Sequence, residues 1–215
     1  MGSKDITTPK EQILKKIRQA LIHKTLEKFP NIDLDSSVYS IPNAPRAETF
    51  VKEYTHLGGE FIYCHNRFDF IDNFLKLIEA NRWKNVYCSE EGLKEELKDC
   101  NIPFTDELTD GKIKVSLTSC EALIARTGSI VVSSQKNTRT LPAYSDIHLV
   151  VAKTSQIVKD IKDALLTLKN KYGEAQPSMI SFISGPCRTN AIEAQFTPGG
   201  MAPLQLYLFL IDDSE

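Results

Sequence analysis

Residues 61–97 read FIYCHNRFDFIDNFLKLIEANRWKNVYCSEEGLKEEL. The first four, Phe61 to Cys64, form an apolar, β-prone run that predicts a short strand. Phe70, Ile71, Phe74, Leu77 and Ile78 then recur at three- and four-residue steps, which places them on one face of a helix. Asn85 to Cys88 repeats the strand signature, and Ser89 is the expected cap of a second helix carrying Leu93 and Leu97. Strand, helix, strand, helix in that order predicts an α/β sheet whose strands run mostly parallel through helical crossovers.

Toward the N-terminus, a helix through Phe50, Val51 and Tyr54 stops at Gly58-Gly59. Further out, Thr8 and Pro9 open another helix, with Thr as cap and Pro in the first turn. Its apolar residues Leu14, Ile17, Leu21 and Phe29 end before Pro30. Asn31 to Pro45 is a polar, proline-containing connector. The chain therefore divides into an N-terminal helical arm with its connector, 1–35, and a main α/β domain, 36–215. Toward the C-terminus, Ile113 to Leu117, Ser129 to Ser133 and Ile147 to Ala152 are apolar enough for buried strands. Thr154 is the expected cap of an amphipathic helix bearing Ile157, Val158, Ile161, Ala164, Leu165 and Leu168. Met179 to Ser184 and Leu204 to Ile211 are expected to complete the sheet.

The composition fits an ordinary globular chain, with 41% hydrophobic and 25% charged residues, and so argues against disorder. A net charge of −2 gives no reason to expect nucleic acid or an anionic membrane as the main partner. No apolar run is long enough to span a bilayer, and Met1 to Lys16 is too charged for a secretory signal, so the expected compartment is the cytosol. Cys64, Cys88, Cys100, Cys120 and Cys187 are widely spaced. Iron–sulfur and zinc sites need clustered thiolates, so neither cofactor nor metal is expected in this chain. Walker, H-E-x-x-H and dinucleotide-binding patterns are absent from the sequence.

Three stretches carry more specific information. Cys120-Glu121-Ala122-Leu123-Ile124-Ala125-Arg126-Thr127-Gly128-Ser129 leads into a strand. Arg139-Thr140-Leu141-Pro142 is followed by Ile147-His148-Leu149-Val150-Val151. Ile183-Ser184-Gly185-Pro186-Cys187-Arg188-Thr189-Asn190-Ala191-Ile192-Glu193 is followed by an apolar strand ending in Asp212-Asp213. In this order and spacing, the C-terminal half resembles the LUD domain of lactate-utilization proteins of the LutC type. The resemblance implies an α/β fold of the NagB, RpiA and CoA-transferase group: a Rossmann-like sheet with flanking helices, here with an N-terminal helical arm. It also implies an accessory role, without an iron–sulfur cluster of its own, in oxidation of L-lactate to pyruvate beside iron–sulfur partner proteins. The alternatives are a stand-alone enzyme of the same group acting on a phosphate-, CoA- or folate-type ligand, and a regulator that has kept a pocket and lost its chemistry. Two positions depart from the family pattern. Arg126 stands where an acid usually precedes Thr-Gly, and Gly199-Gly200-Met201-Ala202-Pro203 replaces Gly-x-His-Gly-Pro. Both departures point to a different ligand or a lost activity.

Several residues are candidates for binding a small anionic ligand. Ser184, Gly185, Arg188, Thr189, Asn190 and Glu193 form a strand–turn–helix start. Free backbone N–H groups there attract anions, and the turn is expected beyond a carboxyl end of the sheet. The plain alternative is a tight turn with Arg188 paired to Glu193. Glu121 is a candidate acid or an ordinary solvated carboxylate; Thr127 and Gly128 line a ligand or merely turn into a strand. Arg139 is a candidate carboxylate clamp, and His148 a candidate ligand group or a hydrogen-bonded packing residue. Cys120 and Cys187 are expected to be inert. Homo-oligomerisation is compatible with the sequence.

Overall fold

The computed structural model describes residues 8–22, 44–107, 113–136, 145–186 and 203–213. The chain divides into two units, Met1–Ser40 and Ile41–Glu215. In the first, the described element is helix α1 (Pro9–Ile22). It opens with a reciprocal cap: Glu11 N–H donates to Thr8 Oγ1 (3.3 Å), and Thr8 N–H donates to Glu11 Oε2 (2.8 Å). The expected continuation to Phe29 lies outside the described residues.

The second unit runs α2 (Arg46–His56), β1 (Glu60–Cys64), α3 (Arg67–Asn81), β2 (Val86–Tyr87), α4 (Glu91–Asp99), β3 (Phe104–Thr105) and β4 (Ile113–Ser119). It continues with β5 (Ala122–Ile124), β6 (Ser129–Ser133), β7 (Ser145–Lys153), β8 (Ile157–Val158), α5 (Ile161–Tyr172), β9 (Ile180–Ile183) and β10 (Gln205–Ile211). Six strands form one sheet in the order β1-β10-β7-β4-β2-β3, every neighbouring pair parallel. The other four form a smaller sheet, β8-β5-β6-β9, in which β6 runs antiparallel to both β5 and β9.

The parallel sheet is apolar on both faces, as its near-continuous hydrophobic strands require. On one face Phe70, Phe74 and Ile78 of α3 and Leu93 and Leu97 of α4 pack on Leu117, Leu149 and Phe209. Phe209 meets the rings of Phe70 and Phe74 edge-on, with centroids 5.3 and 5.8 Å away. On the other face Phe50 and Tyr54 of α2 join Leu123, Ile130 and Val132 of the smaller sheet over Val150, Leu206, Leu208 and Leu210. The smaller sheet's outer face is covered in turn by Ala164 and Leu168 of α5, packed on Ala122, Ile124 and Val131.

The parallel α/β architecture matches the reading of residues 61–97, while three local expectations are corrected. Ser129–Ser133 and Ile180–Ile183 belong to the smaller sheet and do not extend the parallel one, because β6 and β9 pair antiparallel with each other. The helix does not begin at Thr154. Ile157 and Val158 pair with Leu123 and Ile124 as a short strand, and Asp160 caps α5 by accepting from Ile161 N–H (2.6 Å), while Asp163 accepts from Asp160 N–H (3.1 Å). Ser89 does not cap α4. Glu90 holds that position with its carboxylate turned elsewhere, and Ser89 Oγ is buried without a partner among the described residues.

Gly128 shows how tightly the layers fit. Its φ is +58°, and a Cβ there would lie 2.5 Å from Tyr54 N in the backbone of α2. A Cβ at Gly92, near the start of α4, would touch nothing within 4 Å. Gly128→Ala is therefore expected to cost about 2 kcal/mol, whereas Gly92→Ala is expected to stabilise by up to about 1 kcal/mol. Urea denaturation midpoints of the two variants should move in opposite directions.

Candidate functional site

Parallel α/β sheets hold ligands beyond the carboxyl ends of their strands. In this chain the ends of β4, β7 and β10 open on a cleft of about 570 Å³. Each strand delivers a polar residue to it. Ser119 is the last residue of β4, Lys153 the last of β7, and Asp212 and Asp213 follow β10. The N-terminal turn of α3 supplies Asn66 and Arg67, α4 supplies Glu96, and the chain after β6 supplies Lys136.

Ser119 is the best-connected group in the cleft. Glu90 Oε1 accepts its backbone N–H (2.6 Å) and Glu90 Oε2 its hydroxyl (2.5 Å). Lys136 Nζ donates to Ser119 Oγ (3.0 Å) and to the carbonyl of Cys120 (3.2 Å). Gln156 Nε2 donates to the same carbonyl (2.8 Å), and its Oε1 accepts from Lys153 N–H (2.7 Å). A serine hydroxyl thus lies between a carboxylate and an ammonium, with backbone groups fixing all three. Among the described residues Arg67 is the one cation of the cleft in an ion pair, with Glu96 at 2.6 Å. Lys136 donates to uncharged oxygens and lines the cleft, where an incoming anion competes for its charge with the nearby Glu121 and Glu90 carboxylates.

The candidate residues from the sequence fall into separate places. Thr127, Gly128, Ser184 and Gly185 come together: Thr127 Oγ1, Ser129 Oγ and Ser184 Oγ form a chain of contacts at 2.8 and 2.7 Å. A Cβ on Gly185, at φ +80°, would lie 2.7 Å from Leu57 O, just past the C-terminus of α2. The close approach these glycines permit is to α2. Because β9 lies in the smaller sheet, Ser184-Gly185 does not sit at a carboxyl end of the parallel one, contrary to expectation.

Glu121 immediately precedes β5 and is not among the residues lining the cleft. Its side chain is 1% exposed and accepts from Ser133 Oγ (2.6 Å), Tyr172 OH (2.7 Å) and Lys171 Nζ (2.7 Å). Burial opposes its ionisation, yet the donors from Lys171, Ser133 and Tyr172 outweigh burial and hold the carboxyl below its ordinary value. It is a buried anchor between β5, β6 and α5, and the solvated carboxylate considered from sequence is not what the fold makes of it. His148 is fully buried on β7, with Nε2 2.8 Å from Thr118 Oγ1; Nδ1 has no partner among the described residues. Arg126 binds Asp160 through Nε (3.0 Å) and Nη2 (2.7 Å), so the departure from the family pattern is a tie to the cap of α5. Burial pushes the Cys120 thiol up to about 12, which leaves it un-ionised near neutral pH. Arg139, Arg188, Thr189, Asn190 and Glu193, together with Cys187 and Met201, lie outside the described residues.

Sequence reasoning missed Ser119, Lys136, Lys153 and Gln156. The available signal was positional: Lys153 is the first polar residue after the apolar run ending at Ala152, and Thr118-Ser119 directly follow Leu117. No described helix is long and apolar enough to cross a membrane.

A family model described as LUD domain matches residues 47–211. Lactate utilization protein C of Deinococcus radiodurans is 26% identical over 97 residues, which cover 44% of this chain and 45% of that protein. The chain thus spans about half the length of the curated relative it matches. The crystal structure of a DUF162 family protein from Deinococcus radiodurans superposes with a TM-score of 0.59 over 78% of this chain and 99% of that one. At 17% identity, that likeness is one of fold.

His148 makes the fold sensitive to acid. Burial lowers its pKa from 6.5 to about 4. Between those values the unfolded chain binds a proton that the folded chain refuses. Stability is therefore full above pH 6.5 and falls as pH drops toward 4, by about 3 kcal/mol in all. His148→Gln is expected to flatten this segment of the stability–pH curve, measured by denaturant melts at half-unit intervals.

Proposed function

The chain belongs to the LUD domain family, whose model covers residues 47–211, and from that premise we propose that it acts in lactate utilization as a component that binds a small anionic ligand. The observation that carries the reading is the Lys136 ammonium, set in the carboxyl-edge cleft against neutral oxygens. The lactate-utilization relative suggests the ligand class, a short hydroxy or keto acid such as L-lactate or pyruvate. A carboxylate on Lys136 and Lys153 gains charge-assisted hydrogen bonds, and Lys136 is already positioned by Ser119 Oγ and the Cys120 carbonyl. The widely separated cysteines supply no cluster motif, so electrons in this reading travel through iron–sulfur partner proteins.

One feature favours a second reading, a self-sufficient enzyme acting on a phosphate-, CoA- or folate-type ligand. Ser119 Oγ lies between the Glu90 carboxylate and the Lys136 ammonium, an arrangement suited to proton transfer at the hydroxyl. Turnover by the isolated chain, abolished in Ser119→Ala, would select it over the accessory role.

Calorimetric titration with pyruvate, L-lactate and inorganic phosphate tests the anion site. At least one of the three is expected to bind, and Lys136→Ala to weaken it at least tenfold, roughly the value of one charge-assisted hydrogen bond. Lys10→Ala, on α1, is expected to change nothing. Absence of binding by all three, or binding indifferent to Lys136→Ala, would overturn the reading.

A further inference from the structure

A second and larger cleft, about 840 Å³, opens at the same edge of the parallel sheet. Ala47 and Val51 of α2, Phe61 of β1 and Leu210 of β10 wall it, and they belong to the opposite face of the sheet from Val151 and Ile211 of the first cleft. Its charged groups are Glu48, Asp212 and Asp213 against Lys52. The two clefts share Asp212 and Asp213. These carboxylates are fixed: Asp213 accepts from Thr154 Oγ1 (2.7 Å), Ser155 N–H (2.9 Å) and Ser155 Oγ (2.6 Å), and Asp212 accepts from Tyr63 OH (2.6 Å). The hydrogen bonds from Ser155 hold the Asp213 carboxyl below its ordinary value, so it is charged at neutral pH.

We propose that the two clefts are halves of one site, occupied by an amino-substituted heteroaromatic ring joined to an anionic group. The ring lies in the apolar cleft and the anion against Lys136 and Lys153. This rests on the anion site proposed above and extends it. A three-carbon acid fills only a corner of either cleft, whereas pockets of roughly 300–1,000 Å³ suit ligands many times larger. Apolar walls with the Phe61 ring select a flat apolar body. Three carboxylates against one ammonium select a ring edge that donates N–H groups, since an ionised carboxylate only accepts. Beyond the two shared aspartates, the first cleft carries Arg67, Lys136 and Lys153 against Glu96; Arg67 pairs with Glu96 at 2.6 Å, so Lys136 and Lys153 set the charge of that end. A ligand that is a donor at one end and an anion at the other satisfies both. Purine nucleotides and pterin–glutamate conjugates share this chemistry.

Calorimetry on the full chain separates the two sources and both halves. The probes are inorganic phosphate, adenosine, AMP, IMP and pteroylglutamate. AMP or pteroylglutamate is expected to bind at least tenfold tighter than phosphate, and the one that does so names the source. If AMP is that ligand, IMP, which carries a carbonyl in place of the amino group, is expected to bind more weakly. Ala47→Phe fills the apolar cleft, and Glu48→Lys reverses a charge at an exposed position in the first turn of α2. Both are expected to remove the tenfold gain while leaving phosphate affinity unchanged. Ring-bearing probes that bind no tighter than phosphate, or a gain that survives both substitutions, overturn the joined site, and Lys136-dependent phosphate binding then still supports the anion site alone. Ring-bearing probes that bind with no dependence on Lys136 overturn both.

Discussion

Tyr54 is the residue on which the three layers close. Its hydroxyl donates to Leu206 O (3.1 Å) in the parallel sheet, its ring occupies the space a side chain on Gly59 would need, and its backbone lies against Gly128 of the smaller sheet. Burial pushes the hydroxyl pKa up, so it stays a donor to the carbonyl under all ordinary conditions. A parallel sheet must be covered on both faces. Helices α3 and α4 do this on one side, and on the other the cover is a second sheet held by one short helix. The approach is close enough to require glycine at two points where α2 meets the smaller sheet and the turn after β9.

This closeness explains what the sequence made legible and what it hid. The apolar run of Phe61–Cys64, the helical stripe of Phe70, Phe74 and Ile78, and the strand at Val86 are local patterns, and they appear where those patterns put them. The division of the remaining strands between two sheets is not local. Ser129–Ser133 is as apolar as a strand of the parallel sheet, and only its pairing with Ile180–Ile183 assigns it elsewhere. Thr154 and Ser89 are plausible caps by type, but Asp160 with Asp163 makes a better one, and Glu90 is drawn away to Ser119.

The candidate site was legible in the same uneven way. The motif residues that identify the family, Glu121, Thr127, Gly128, Ser184 and Gly185, hold β5, β6, β9, α2 and α5 together in this structure. Motif strength measured how unusual the string is, and an unusual string arises as readily from a demanding packing problem as from chemistry. The cleft residues Ser119, Lys136 and Lys153 form no string at all. Ser119 and Lys153 share the cleft because parallel strands end at one edge, and Lys136 reaches it from the turn after β6, relations that exist only once the strand order of both sheets is known.

That strand order has a temporal meaning as well. β10 (Gln205–Ile211) lies between β1 (Glu60–Cys64) and β7 (Ser145–Lys153), and it is the last of the described strands in chain order. During synthesis β1 waits for its neighbour until some 140 further residues have left the ribosome, at roughly 5–20 residues per second. Throughout that interval its edge is open to any other extended chain. The polypeptide is thus born with a vacancy at the middle of its sheet, and its passage to the native state is governed less by how fast helices form than by how safely that gap is kept until the final strand arrives.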